Sequence, residues 1–289
     1  MQSVSDQSPQ TLVLVDRPRP HVALVTLNRP ERMNSMAFDV MVPLKAALEE
    51  LTHDNDIRVV VLTGAGRGFS SGADHKSAGS VPHVAGLTRP TYALRSMELL
   101  DDVILAIRKL HQPVIAAVNG AAIGGGLCLA LACDVRVAAT GAYFRAAGIN
   151  NGLTASELGL SYLLPKAIGT SRAFEIMLTG RDVDAVEAER IGLVSRTVPD
   201  DGLLNACYEM AERMASFSRP GIELTKRTLW SGLEAGSLEG HMQAEGLGQL
   251  YVRLLTANFE EAVAARAGKR SPVFTDERLR AESTAGEDE

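Results

Sequence analysis

The sequence predicts an α/β fold: stacked β-β-α units with parallel strands, followed by a separate helical region. Three observations lead there. A series of strand, glycine turn, helix and strand repeats along the first two thirds of the chain. Strand patterns vanish after Asp200 and only helical periodicity remains. The 289 residues, 46% hydrophobic, suffice to bury a full core for one large domain or one domain with an appendage.

The elements follow in order. Residues 11–16 and 22–27 are β-rich runs separated by Arg17-Pro18-Arg19-Pro20, which predicts a hairpin. Ser35 can cap a helix whose apolar positions Phe38, Met41, Leu44, Leu48 and Leu51 recur at spacings of three and four. Residues 58–63 read as a buried strand ending in Gly64-Ala65-Gly66, and residues 75–90 as a mobile Gly/Pro/Ser/His-rich connector. Helical periodicity returns over 97–110. A strand over 113–118, a glycine turn over 120–126, a short apolar helix to Cys133 and a strand over 134–139 complete the repeat. Helices are expected over 203–217, 222–233 and 238–267. Four segments result: a flexible start (1–10), a core (11–200), a helical region (201–274) and a charged, disordered tail (275–289).

Composition excludes several roles. The net charge of −6 and scattered lysines and arginines argue against nucleic acid as a partner. Three cysteines, Cys128, Cys133 and Cys207, sit in apolar surroundings without paired or metal-like spacing and read as reduced core thiols. The six histidines are dispersed, so no metal site is expected. The first ten residues are polar and lack a secretory pattern. The longest apolar stretch, 113–132, is broken by Asn119 and four glycines and does not read as a membrane span. The expected location is the cytoplasm.

Two glycine-rich loops, Ser70-Ser71-Gly72-Ala73-Asp74 and Ala122-Ile123-Gly124-Gly125-Gly126, stand out as candidates for binding an oxygen through backbone amides. With Leu27-Asn28-Arg29-Pro30-Glu31-Arg32-Met33-Asn34, Ala132-Cys133-Asp134-Val135-Arg136 and Leu164-Pro165-Lys166-Ala167-Ile168-Gly169 they form five motifs in one order. Over residues 13–274 the chain resembles the enoyl-CoA hydratase/isomerase (crotonase) superfamily. The stretch Gly148-Ile149-Asn150-Asn151-Gly152-Leu153-Thr154-Ala155-Ser156-Glu157 looks most like hydratase-like paralogues of actinobacteria.

The resemblance implies a crotonase-like β-β-α spiral with a C-terminal helical trimerisation region, a trimer or a hexamer made of two trimers, and an acyl-CoA thioester bent around the first glycine loop. CoA would come with the substrate, so no separate cofactor is implied. Matching motif to motif, the oxyanion hole would be the amides of Ser71 and Gly125, with Gly72, Ala73 and Gly124 among the residues binding the substrate and its CoA. Hydratases of the family hold water with two glutamates; the matching positions carry Cys128 and Gly148. A thiol neither orients water as a carboxylate does nor is ordinarily ionised at neutral pH, so Cys128 reads as a wall residue.

Glu157 matches the acidic position that isomerase-type relatives use as a proton shuttle. It can equally belong to a capping box, Thr154-Ala155-Ser156-Glu157, in which it would only satisfy a backbone N–H. Asp74 is expected to order the oxyanion loop. His75 replaces an apolar family residue and could reach the pocket mouth or stand in solvent. Asp134 and Arg136 resemble a structural pair. Arg32, Met33 and Lys76 match positions at the nucleotide end, where cations meet phosphates. Lys269 and Phe274 match a segment that in relatives closes over a neighbouring subunit's ligand. Three readings stand: a hydratase of fatty-acid oxidation, weakened by the missing glutamate pair; an enolate-forming isomerase using Glu157; and a non-catalytic acyl-CoA-binding scaffold.

Overall fold

The computed structural model describes residues 11–275; the expected flexible start (1–10) and all but the first residue of the expected tail lie outside them. The chain opens with β1 (Val13–Arg19) and β2 (Val22–Leu27), an antiparallel hairpin. Strand β1 runs on through Pro18 to Arg19, so the turn is Pro20-His21 rather than the whole Arg-Pro-Arg-Pro stretch. An edge strand tolerates proline because its missing N–H faces no partner, and β1 ends its sheet.

Helix α1 (Phe38–His53) buries Met41, Leu44, Leu48 and Leu51 as the spacing predicts. Its cap does not follow expectation. Ala37 stands at the N-cap without a side-chain bond, because the Ser35 hydroxyl donates to Asp74 instead.

The spiral then begins. Strands β3 (Val59–Gly64) and β4 (Gly68–Ser70) precede α2 (Arg89–Lys109). Strands β5 (Val114–Val118) and β6 (Ala121–Ile123) precede α3 (Gly125–Ala132), and β7 (Val135–Ala139) and β8 (Tyr143–Arg145) precede α4 (Leu160–Ile168). In each coil the first strand joins a six-stranded sheet, ordered β1-β2-β3-β5-β7 and closed by β10 (Arg196–Val198), and the second joins a four-stranded sheet, ordered β4-β6-β8 and closed by β9 (Val183–Asp184). Pairings β3–β5, β5–β7, β4–β6 and β6–β8 are parallel. Helix α5 (Thr170–Thr179), β9 (Val183–Asp184), α6 (Ala185–Arg190), β10 (Arg196–Val198) and α7 (Leu203–Ala215) finish this unit.

Both faces of β3 and β5 are buried, as parallel strands require. One face of the large sheet, carrying Val59, Val61, Ile115, Ala117 and Val137, packs on Leu203, Cys207, Tyr208 and Ala211 of α7. That packing places α7 with the sheet, and the compact units divide between Ala215 and Ser216 rather than at residue 200.

The second unit comprises α8 (Arg219–Gly232), α9 (Leu238–Leu255) and α10 (Asn258–Ala267). The single helix expected over 238–267 is interrupted. The Thr256 hydroxyl donates to the Val252 carbonyl and accepts the Asn258 N–H, offering the backbone an alternative to the helical bond. Likewise α2 starts at Arg89, earlier than residue 97, because Thr88 caps it and Pro90 suits its first turn. Only Val103, Ile104 and Ile107 of α2 are buried, so its first half carries no core periodicity to read. Among the described residues no helix is long and apolar enough to cross a membrane.

Candidate active site

The two glycine loops meet. A Cβ on Gly72 would stand 3.3 Å from the Gly125 nitrogen, and one on Gly126 would overlap the Ser70 carbonyl oxygen. Successive coils can therefore stack this closely only where side chains are absent. Gly125 is the first residue of α3, so its N–H has no intrahelical acceptor and lies at the positive end of the helix. Gly124, with φ of 52°, bends the chain into that position. Met36 and Leu158 close the apolar side of Gly125; a Cβ there would overlap the Met36 Sδ and stand 3.3 Å from Leu158 Cδ1.

The expected second donor is engaged. The Ser71 N–H donates to the Met33 carbonyl at 2.9 Å. Met33 and Asn34 both adopt left-handed backbone, with φ of 47° and 53°, which turns that carbonyl onto the loop. Of the two amides, that of Ser71 is therefore paired within the chain, and that of Gly125 lies at the start of α3.

Asp74 ties the first glycine loop to its neighbours. Its carboxylate accepts the Lys76 and Ser77 amides, both at 2.9 Å, the Ser35 hydroxyl at 3.0 Å and a guanidinium N–H of Arg29 at 2.9 Å, and it also pairs with Arg32. Burial works to raise its pKa, but these bonds and the Arg32 charge outweigh burial and hold it well below the usual carboxylate range. Arg32, expected at a phosphate, is here committed to Asp74. Lys76 and His75 are exposed, and so is Ala73, whose backbone bridges to Met36.

Glu157 stands beside Gly124 and not in a helix cap. Helix α4 begins at Leu160, with Gly159 before it, and the Thr154 hydroxyl bonds the Ser156 carbonyl. The Glu157 side chain reaches instead to Gly124: its Oε1 is 3.1 Å from where a Gly124 Cβ would stand. Leu158 and Gly159, both left-handed with φ of 46° and 78°, hold this direction. Backbone strain in a leucine costs of order 1–3 kcal/mol and persists where surrounding contacts demand it. Burial raises the Glu157 pKa above its ordinary value, and the charge of His75 partly offsets this.

The two former glutamate positions differ in kind. Cys128 is fully buried, and its thiol donates to the Gly124 carbonyl at 3.3 Å and the Glu157 carbonyl at 3.5 Å. Burial, then the Glu157 charge, pushes that thiol well above its ordinary pKa. At Gly148 a Cβ would overlap the Thr154 carbonyl oxygen, so this turn has no room for a side chain.

Sequence reading missed Arg29 and Asn34. Asn34 is buried; its amide donates to the Ala65 and Gly68 carbonyls and its Oδ1 accepts the Arg29 N–H, joining this turn to the β3–β4 connection. An asparagine tolerates left-handed backbone better than most residues, the one local signal available. Asp134 and Arg136 each hold backbone: Asp134 accepts the Val114 N–H, and Arg136 donates to the Leu193 and Cys133 carbonyls. Lys269 is exposed and Phe274 half-buried in the second unit, where Phe274 lines a groove with Phe217, Ile222, Met242 and Val252.

With this geometry in view, a family model described as enoyl-CoA hydratase/isomerase matches residues 18–277. The chain belongs to the enoyl-CoA hydratase/isomerase family. It is 82% identical over 271 residues to a "Probable enoyl-CoA hydratase" of Mycobacterium bovis, covering 94% of this chain and 95% of that one. A crystal structure of a probable enoyl-CoA hydratase/isomerase from Mycobacterium abscessus is 74% identical, with a TM-score of 0.89 over 93% of this chain and 100% of that one. A structure described as a monofunctional enoyl CoA isomerase from M. smegmatis is 75% identical, with a TM-score of 0.69 over 80% of this chain and 98% of that one. The crotonase fold, with its C-terminal helical region, is established by these likenesses.

Proposed function

We propose that this family member is an enoyl-CoA double-bond isomerase in which Glu157 moves the proton. The observation that carries the reading is the Glu157 carboxylate standing over Gly124, beside the amide that opens α3, while Cys128 and Gly148 supply no second carboxylate. Glu157 removes a proton from carbon 2 of a 3-enoyl thioester. The electrons pass into the thioester carbonyl, whose oxygen accepts the Gly125 N–H and competes with the Met33 carbonyl for the Ser71 N–H. Reprotonation at carbon 4 leaves the conjugated 2-enoyl thioester. The proton shuttle itself calls for no group beyond the CoA that the substrate brings.

Hydration needs a positioned and activated water, and each acid/base group is worth about 10²–10⁴ in rate; loss of the pair argues against it. The identity with the structure described as a monofunctional enoyl CoA isomerase supports the same reading. The test is absorbance on 3-enoyl-CoA and 2-enoyl-CoA substrates of short and long chain, wild type beside Glu157→Gln. Conjugation from the 3-enoyl substrate falls by about 10²–10⁴ in the variant. Hydration that survives the substitution overturns the assignment, and silence on all substrates with tight acyl-CoA binding favours a scaffold.

We further propose a trimer or a dimer of trimers. Helix α9 buries none of its residues within the single chain, and Leu247, Leu250, Leu254 and Leu255 stand exposed. An apolar surface of this kind marks an interface.

A further inference from the structure

We infer that Cys128 is a positioning residue for the proposed isomerisation: its thiol fixes the backbone of Glu157 against the peptide that presents the Gly125 N–H. The inference rests on the isomerase reading and gives a task to a side chain that reading leaves idle. The Cys128 sulfur lies 3.3 Å from the Gly124 carbonyl oxygen and 3.5 Å from that of Glu157. The first carbonyl belongs to the same planar peptide unit as the Gly125 N–H, so whatever holds it also sets the direction of that N–H. It accepts the Cys128 N–H as well, at 3.1 Å. Hydrogen bonds accepted at one end of a peptide polarise it and strengthen the donor at the other. The second carbonyl belongs to the proposed base, and it also accepts the Leu160 N–H at 2.7 Å where α4 starts.

The Glu157 turn meets the start of α3 through its carboxylate over Gly124, through Leu158 against Gly125, and through the thiol at its carbonyl. Of these, the thiol contact alone is a hydrogen bond, and so the one with a preferred direction. Direction matters here because Leu158 and Gly159 are left-handed, a turn that its surroundings must maintain. A thiol carries one proton and is a weak donor. Shared between two carbonyls, that proton adds register rather than stability. The group is also kept in its donor form: it is fully buried, and burial holds the thiol protonated, which removes it as a nucleophile.

The test compares two variants on a 3-enoyl-CoA. Cys128→Ala removes the donor and only one sulfur atom, with a residue that suits a helix; Cys128→Ser keeps a donor at the same place. In Cys128→Ala, kcat falls by about 10-fold or more with KM little changed, since a catalytic group misplaced by about 1 Å can cost about 10²-fold. In Cys128→Ser it stays near wild type. Chemical denaturation of both variants separates this from a general loss of fold. A pH profile adds a readout that packing alone would not move. The acid limb of kcat/KM shifts toward the ordinary 4.5 of a glutamate in Cys128→Ala, as the released carboxylate meets more water, and holds its place in Cys128→Ser. An unchanged kcat in Cys128→Ala, a Cys128→Ser no better than it, or an acid limb that does not move overturns the inference while leaving Glu157 as base. A wild type inert on every 3-enoyl thioester overturns the isomerase reading and this inference with it.

Discussion

Glu157 was only half legible in the sequence, because Thr154-Ala155-Ser156-Glu157 satisfies the pattern of a cap as well as that of a base. The structure removes the cap: the left-handed backbone of Leu158 and Gly159 delays the helix to Leu160 and swings the carboxylate onto Gly124. Such a turn leaves little local trace when one of its residues is leucine. The raised pKa has a kinetic consequence. In the proposed reaction the base works as carboxylate, so activity falls as pH drops through its pKa, and burial moves that limb above the ordinary 4.5 of a glutamate. In a pH profile of kcat/KM the acid limb lies above 4.5, and higher still in His75→Gln, which lacks the charge that offsets burial. The missing glutamates were legible as letters, but the reason they cannot simply be restored was not. Cys128→Glu gains no hydratase activity, because its partner position is blocked. Gly148→Ala, whose Cβ meets the Thr154 carbonyl, lowers stability by about 1–3 kcal/mol in chemical denaturation, in line with other overpacked sites.

At the scale of elements, strands were read well and helix ends poorly. The buried runs of β3 and β5 are continuous apolar segments that no other placement explains. Helix boundaries turned on side chains that had two uses. Ser35 serves Asp74 rather than α1, and Thr256 serves the backbone on both sides of a break. The short helix α3 was legible from its glycines, and its packing is the most demanding in the site. Gly126→Ala places a methyl group onto the Ser70 carbonyl and forces β4 away from α3, opening the gap across which the proposed oxyanion would be held. The expected result is a loss of kcat of about 10²-fold or more, as for removal of an oxyanion donor, with KM changed far less; an equal rise in KM would point to a binding defect instead.

For the whole molecule, the sequence separated a sheet-bearing unit from a helical one but placed the boundary too early. Helix α7 looks like the helices after it in amphipathic pattern; only its contact partners, Val59, Val61, Ile115 and Val137 of the sheet, assign it to the first unit. Helix α9 has the opposite character, a helix that lies along α8 yet leaves none of its residues fully buried. Leu254→Glu, at a side chain 73% exposed in the single chain, is expected to shift the assembly toward monomers in size-exclusion chromatography with light scattering. A wild type that is itself monomeric would overturn the oligomer reading.

The spiral also dictates a timetable. The first glycine loop belongs to one coil, Gly125 to the next, and Glu157 to the third, between β8 and α4. Their strands pair in parallel across dozens of intervening residues, contacts that form slowly because long loops must close first. A nascent chain thus carries both glycine loops long before α7, the helix that covers the large sheet, has been synthesised. Until α7 arrives, the face formed by Val59, Val61, Ile115 and Val137 has no cover, and the loops have no finished sheet to hold them.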